Sequence, residues 1–434
     1  METIRTTVQP QVAEQKAKIT GSKFKKILKV LGPGLITGAS DDDPSGIATY
    51  SQAGAQFGLT TLWTALITFP LMASIQEVCA RIGIVTESGL TTTIKKHYPR
   101  WVLYIMILFS FPAIVMNIGA DIQGMGAVAN LLLPKVPSFV FSILFTLLLS
   151  FFIIRYPYQQ LAKIMKWLCF ALLLYLIVPF LTKTNWMDVL RHTLIPTIHF
   201  NKDFIMILVA ILGTTISPYL FFWQATMEAE DMEHDPKKLV ANRRILKNMK
   251  LDVNFGMLFS NLVMFFIILT AGTVLFPNGI RNIETVEQAA AALKPIAGNI
   301  AYILFAIGII GTGLLAIPVL AGALSYMFSE TFGWQMGLDK KFSEAKGFYI
   351  IMVISLVLGL TMNFAGITPI QALVYTAVLY GITAPVLIGI ILHIANKKSV
   401  MGKYKNGKWS NISGFITLLL MTSAAVALIY FQFK

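Results

Sequence analysis

Thr37-Gly38-Ala39-Ser40-Asp41-Asp42-Asp43-Pro44-Ser45-Gly46-Ile47-Ala48-Thr49 decides how this chain is read. The stretch lies inside an apolar block, and residues 31–37 just before it carry no acidic side chain. In a loop, three consecutive Asp would be an ordinary solvated charge run. Within a bilayer each acidic group costs a few kcal/mol, so three together make sense only where water or cations reach them. Pro44 lacks a backbone donor and Gly46 resists helix, so a spanning helix opens at this point. Asp43 carries most of the functional reading, while Asp41 and Asp42 raise the local cation concentration.

A second break of the same kind is Gly213-Thr214-Thr215-Ile216-Ser217-Pro218-Tyr219. Alone, it would be an ordinary Pro kink in a packed helix. Paired with the first it means more, because broken backbone at membrane depth is tolerated only around a protein-buried or aqueous site. Two interrupted helices, five helices apart, point to an inverted-repeat transporter with its substrate site near the midplane. Helices 1–5 and 6–10 form the two halves, and an eleventh is added outside them.

The rest of the chain fits that frame. Of 434 residues 56% are hydrophobic and 13% charged, with mean hydropathy +0.70, and a soluble domain carries about twice that share of charge. Blocks long enough to span a membrane lie near 27–57, 62–85, 101–128, 138–154, 164–181, 204–227, 253–276, 300–328, 348–362, 370–394 and 412–431. The expected fold is therefore an all-α polytopic membrane protein of about eleven helices. Its parts are an N-terminal tail at 1–26, five-helix repeats at 27–182 and 204–394, and an additional helix at 411–432. With the N-terminus inside, 28 of the 35 Lys and Arg fall on the inner side and 7 on the outer. Basic loop residues favour the cytoplasm, so the N-terminus is expected inside and the C-terminus outside. The first 26 residues are polar and basic with no apolar core of a signal peptide, and they read as a mostly disordered cytoplasmic tail. The net charge of +14 sits in short gaps between apolar blocks, which favours a lipid surface over nucleic acid. Cys79 and Cys169 both lie in apolar stretches, so neither a disulfide framework nor a Cys metal cluster is expected.

Gly32-Pro33-Gly34, Asp43-Pro44-Ser45-Gly46-Ile47-Ala48-Thr49, Ala53-Gly54-Ala55-Gln56-Phe57-Gly58 and Ala80-Arg81-Ile82-Gly83-Ile84-Val85-Thr86 resemble the first two helices of the Nramp metal-ion transporters. Thr214-Thr215-Ile216-Ser217-Pro218-Tyr219 occupies the place of that family's sixth-helix metal motif. The resemblance implies a LeuT-type (APC) inverted repeat and a metal site formed by Asp43, Gly46, Thr214 and Ser217. The departures carry information of their own. Nramp proteins typically read Asp-Pro-Gly-Asn in helix 1 and Ala-Thr-Val-Met-Pro-His in helix 6. Here Gly46 stands at the Asn position, Ser217 at the Met, Tyr219 at the His, and Thr214 where a backbone carbonyl is offered. With Asp41 and Asp42 added, the combination is similar to the Nramp-related magnesium transporter branch.

Ligand chemistry agrees. A thioether favours thiophilic metals, whereas carboxylate, carbonyl, hydroxyl and water suit magnesium, calcium and manganese. Ser217 replaces the soft group by a hard one, and Gly46 frees volume. Magnesium keeps several waters and contacts one or two carboxylates, so a roomy site around Asp43 suits a partly hydrated ion. Magnesium is the expected cargo, manganese a second one, and no cofactor is expected. In helix 3, aligned through residues 124–131, the family's proton-route Asp falls on Ile118, and the helix 6 His positions fall on Tyr219 and Gln224. Transport without obligatory proton coupling is expected, with Asp121, one turn further along, as the residue that could still relay protons.

Other polar groups read more plainly. Asn117, Asp121 and Gln123 in helix 3, with Asn254 and Asn261 in helix 7, are ordinary interhelical hydrogen-bonding groups, although Asn261 falls where Nramp relatives also carry an Asn. Glu77 and Arg81, four apart, form a structural pair. Glu228, Glu230 and Asp231 are expected as solvated charges near the inner end of helix 6. Three other functions compete: a proton-coupled manganese or iron symporter, an organic-solute symporter of the same fold, and a membrane metalloenzyme. Three Asp would repel the substrate carboxylate that the solute symporters bind at helix N-termini. No H-E-x-x-H, Ser/Lys or paired-His arrangement supports an enzyme. Partners beyond the cation and the bilayer are not expected, and a monomer suffices.

Overall fold

The computed structural model describes residues 32–156, 174–182, 184–234, 241–294, 298, 301–364 and 366–433, and these residues form helices and no strands. Besides short connecting helices such as Leu90–His97 and Trp186–Leu194, the helices are α1 (Pro33–Asp41), α2 (Pro44–Phe57), α3 (Trp63–Thr86), α4 (Arg100–Leu132), α5 (Ser138–Arg155), α6 (Leu174–Leu181) and α7 (Lys202–Thr215). They continue as α8 (Pro218–His234), α9 (Arg243–Val274), α10 (Ala301–Phe332), α11 (Lys346–Leu360), α12 (Pro369–Asn396) and α13 (Lys408–Phe433). Among the described residues, nine helical stretches are long and apolar enough to cross a membrane, with α7 and α8 taken as one. The first block is not among the nine because its break leaves pieces of 9 and 14 residues. Residues 157–173, most of the fifth block, lie outside the described residues, as does the tail at 1–26.

Several helices run beyond their apolar blocks, two of them with consequences for packing. α9 starts ten residues before its apolar block, at Arg243, because Asn242 accepts hydrogen bonds from the amides of Arg244 (2.9 Å) and Ile245 (3.0 Å) and so caps a charged first turn. α10 runs past Phe328 to Phe332, which brings Glu330 into the helix.

The helices fall into two packed groups. In one, α9 lies along α1, α2 and α3, and α8 along α3 and α1. In the other, α4, α5, α10 and α11 pack on one another, while α12 bridges to α7, α2 and α4. Lipid is as apolar as a Leu side chain, so close backbone approach and interhelical polar bonds hold such helices together. A Cβ on Gly38 of α1 would stand 2.2 Å from the Gly256 carbonyl oxygen of α9. The N-terminus of α1 is held to the same partner, because the Asp252 carboxylate accepts from the amides of Gly32 (2.9 Å), Gly34 (2.7 Å) and Leu35 (3.2 Å). That contact gives a packing prediction. Gly38→Ala should destabilise the fold by about 1–3 kcal/mol, the usual cost of overpacking against backbone. A melting temperature in detergent equal to that of the wild type would show that α1 and α9 do not meet there.

Candidate cation site

Proline opens both breaks. α1 ends at Asp41, Asp42 leaves the helical region (φ −83°, ψ 56°), and Asp43 is extended (φ −72°, ψ 172°) at the N-cap of α2. Pro44 takes the first position of α2, where its missing N–H would have no partner anyway. The Asp43 carboxylate accepts from the amide of Gly46 at 2.7 Å, satisfying a donor that helix geometry orphans. The second break repeats the plan: α7 ends at Thr215, Ile216 departs (φ −113°, ψ 60°), and Pro218 starts α8.

The two breaks touch. A Cβ on Gly46 would lie 3.3 Å from Thr214 Oγ1 and 3.5 Å from the Asp41 carbonyl oxygen. Tyr50 and Thr215 hydroxyls stand 3.1 Å apart, and since Thr215 donates to the Ile211 carbonyl at 2.6 Å, Tyr50 is the donor. Tyr219 donates to the Ser40 carbonyl at 2.9 Å, tying the start of α8 to the end of α1. Asp43, Gly46, Thr214, Ser217 and Tyr219 therefore surround one buried region. Ser217 is turned back on its own helix end, donating to the carbonyls of Thr214 (2.5 Å) and Gly213 (3.3 Å). The C-termini of α1 and α7 and the N-termini of α2 and α8 meet here, so the helix dipoles oppose one another and the buried carboxylates supply the charge that favours a cation.

The three Asp diverge. Asp41 accepts from Ser260 of α9 at 2.7 Å, and Asp42 lies 3.4 Å from the same hydroxyl. Asp43 turns the other way and accepts from the Asn117 amide of α4 at 2.8 Å. All three are at most 2% exposed, and none faces a Lys or Arg among the described residues. Asp41 Oδ1 and Asp42 Oδ2 have no hydrogen-bond partner. Asp121, fully buried, has no close hydrogen-bond partner on either carboxyl oxygen among the described residues, although the Ser45 amide faces it, and it lies within electrostatic reach of Asp43. Buried carboxyl groups without a countercharge are costly, and a bound cation removes that cost. Among the described residues no three His, Cys, Asp or Glu converge.

Asn261 stands apart from the breaks. It accepts from Thr68 at 3.2 Å and donates to Met72 Sδ at 2.8 Å, both on α3. Asn254 and Gln123 bond to backbone carbonyls, of Lys250 and Ile367, and Arg81 pairs with Glu77 at 3.4 Å. At the acidic end of α8, Glu228 is not solvated as expected, whereas Glu230 and Asp231 are half-buried. Glu228 is 5% exposed and accepts from Gln224 at 2.9 Å, and Glu230 accepts from Tyr326 at 2.7 Å. The reason is that α8 runs between α3 and α10 along this length. Ser260 and Tyr380 escaped the sequence reading because single hydroxyls in apolar helices are common. That Asn117 belongs with the site residues is signalled by its place four residues before Asp121, on the same helix face.

The chain matches the family model "Natural resistance-associated macrophage protein-like" over residues 34–431. It is 26% identical to the divalent metal cation transporter MntH of Caldanaerobacter subterraneus subsp. tengcongensis, with 98% of each chain covered. To the Bacillus subtilis protein of the same name it is 25% identical, covering 96% of this chain and 95% of that one. In structure it is similar to the Eremococcus coleocola manganese transporter, solved with an aromatic bis-isothiourea substituted compound, at TM-score 0.73 and 19% identity, covering 94% of this chain and 87% of that one.

Proposed function

The chain belongs to the Nramp family, and we propose that it is a divalent metal cation transporter whose main cargo is partly hydrated magnesium, with manganese as a second substrate. Supporting this is the donor set at the touching breaks: the Asp43 carboxylate, the Thr214 and Ser217 hydroxyls, and the carbonyls that end α1 and α7. Hard oxygen donors with a single close carboxylate suit an ion that keeps part of its water shell. Asp43 binds the ion, Gly46 withholds a side-chain ligand and leaves the Thr214 hydroxyl facing the break, and Ser217 replaces a soft ligand by a hydroxyl. Asp41 and Asp42 attract cations from the α9 side, Tyr219 fixes the end of α1, and Asn261 shapes the outer path through α3.

Residues 27–182 and 204–394 are read as inverted five-helix repeats, with 411–432 added outside them. The N-terminus lies in the cytoplasm and the C-terminus outside a bacterial-type inner membrane, and one chain transports on its own. The two groups of helices rock about the breaks to alternate access.

Proton coupling is not required on this reading. A divalent cation entering a cell gains about 4.6 kcal/mol per 100 mV of inside-negative potential, for its two charges. A proton-coupled manganese or iron symporter is the second reading, favoured by the buried Asp121 beside Asp43. Proteoliposomes loaded with a pH-sensitive dye separate the two. Magnesium added outside should enter without acidifying the lumen. Acidification that tracks uptake and disappears in Asp121→Asn would establish the symporter.

A further inference from the structure

Beside Asp43, α4 and α12 present buried polar atoms that have no close hydrogen-bond partner among the described residues. Asn117 donates to Asp43 and leaves its carbonyl oxygen Oδ1 without a partner. Tyr380 of α12 is 1% exposed, and its hydroxyl, which faces the Asn117 side chain, has no close hydrogen-bond partner among the described residues. The Tyr380 ring stands 5.9 Å from that of Tyr219, and its hydroxyl lies beside Asn117 and within electrostatic reach of Asp43 and Asp121. Both Asp121 oxygens likewise lack a close partner among the described residues. Leaving a buried donor or acceptor unmade costs about 1–3 kcal/mol each, so four such atoms around one carboxylate call for a common partner.

Their chemistry specifies that partner. Water bound to a cation directs both its hydrogens outward and can only donate. An amide oxygen, two carboxyl oxygens and a phenol oxygen are all able to accept. We infer that Asn117 and Tyr380 form a wall that receives the water shell of a partly hydrated cation held by Asp43, and that this wall sets the preference for magnesium over manganese. The inference rests on the magnesium reading above and adds which residues impose it. Magnesium gives up water reluctantly, so it depends on such acceptors. Manganese is larger and sheds water more readily, so it depends on them less.

Tyr380→Phe removes one oxygen and keeps the ring, and Asn117→Ala removes the amide. Magnesium and manganese uptake are measured in the same proteoliposomes for wild type and both variants. Tyr380→Phe should raise the magnesium KM about tenfold, the loss of one hydrogen bond to a charged group, while the manganese KM stays within about twofold. Asn117→Ala should shift the ratio in the same direction, with some loss for both ions because Asp43 is no longer oriented. Equal losses for both ions in Tyr380→Phe would mark a packing role and overturn the inference. An unchanged ratio in both variants, with magnesium uptake present in the wild type, would overturn the wall alone. A wild-type protein that carries manganese but no magnesium would overturn the cargo reading, and the wall with it.

Discussion

Asp43→Ala should bring magnesium uptake down to that of empty liposomes, while Asp41→Asn and Asp42→Asn each keep a reduced rate. Asp43 is the carboxylate that caps α2 at the first break, and its two oxygens face the Gly46 amide and Asn117. Removing one partner of a buried charge pair costs about 3–5 kcal/mol, which is more than about 100-fold in affinity. Truncation also removes a helix cap worth about 1 kcal/mol, so Asp43→Asn is the necessary companion. It retains an acceptor for the Gly46 amide, loses the charge, and offers an N–H that the unpartnered Asn117 Oδ1 can accept if the Asn117 amide turns over. Calorimetry should find no magnesium binding in either variant, with similar melting temperatures for wild type and Asp43→Asn. Asp41 and Asp42 bond to Ser260 instead. Their effect is on local cation concentration, and neutralising either should slow uptake by less than about tenfold. Wild-type uptake in the Asp43→Ala protein would move the site elsewhere.

Changing the donor set should change the ion. Ser217→Met inserts a thioether at the second break and releases the Thr214 carbonyl that Ser217 now occupies. A soft ligand favours thiophilic ions, so cadmium affinity should rise by about tenfold or more, a gain of about 1.4 kcal/mol. Gly46→Asn should add to this by supplying an amide oxygen and shrinking the space for water. The site admits a Cβ at Gly46 only if Thr214, 3.3 Å away, yields by a few tenths of an ångström. The double variant is therefore expected to hold a barer ion and to lose magnesium uptake relative to manganese. Calorimetry with cadmium on both proteins decides the matter, since unchanged affinity in both would refute the account of selectivity.

Both breaks were legible in the sequence, and for a physical reason. Proline cannot donate, acidic groups are expensive in lipid, and the two signals coincide at Asp43-Pro44. The touching of Gly46 and Thr214 followed from the family resemblance and not from spacing. What the sequence hid was direction. Three adjacent Asp look like one cluster, but the chain leaves the helix after Asp41, so successive side chains point to α9 and to α4. The role of Asn117 was half visible: an interhelical hydrogen bond was expected, but not that its acceptor would be Asp43. Glu330 was missed because the apolar block was drawn to end at Phe328. The carboxylate is 5% exposed and accepts from the Thr92 amide at 2.6 Å and from Thr226 at 3.2 Å. Hydropathy ends a helix at its first polar turn, whereas the backbone continues as long as its carbonyls find donors.

The reversal potential of magnesium flux in proteoliposomes tests cargo and coupling together. A magnesium gradient is set across the membrane, a potassium diffusion potential is varied against it, and a magnesium-sensitive dye reports the potential at which net flux stops. An uncoupled divalent carrier must balance a tenfold gradient at about 30 mV, half the single-charge value, whatever the pH on either side. A reversal potential that moves with an imposed pH gradient, or no magnesium flux at any potential while manganese flows, would contradict the account.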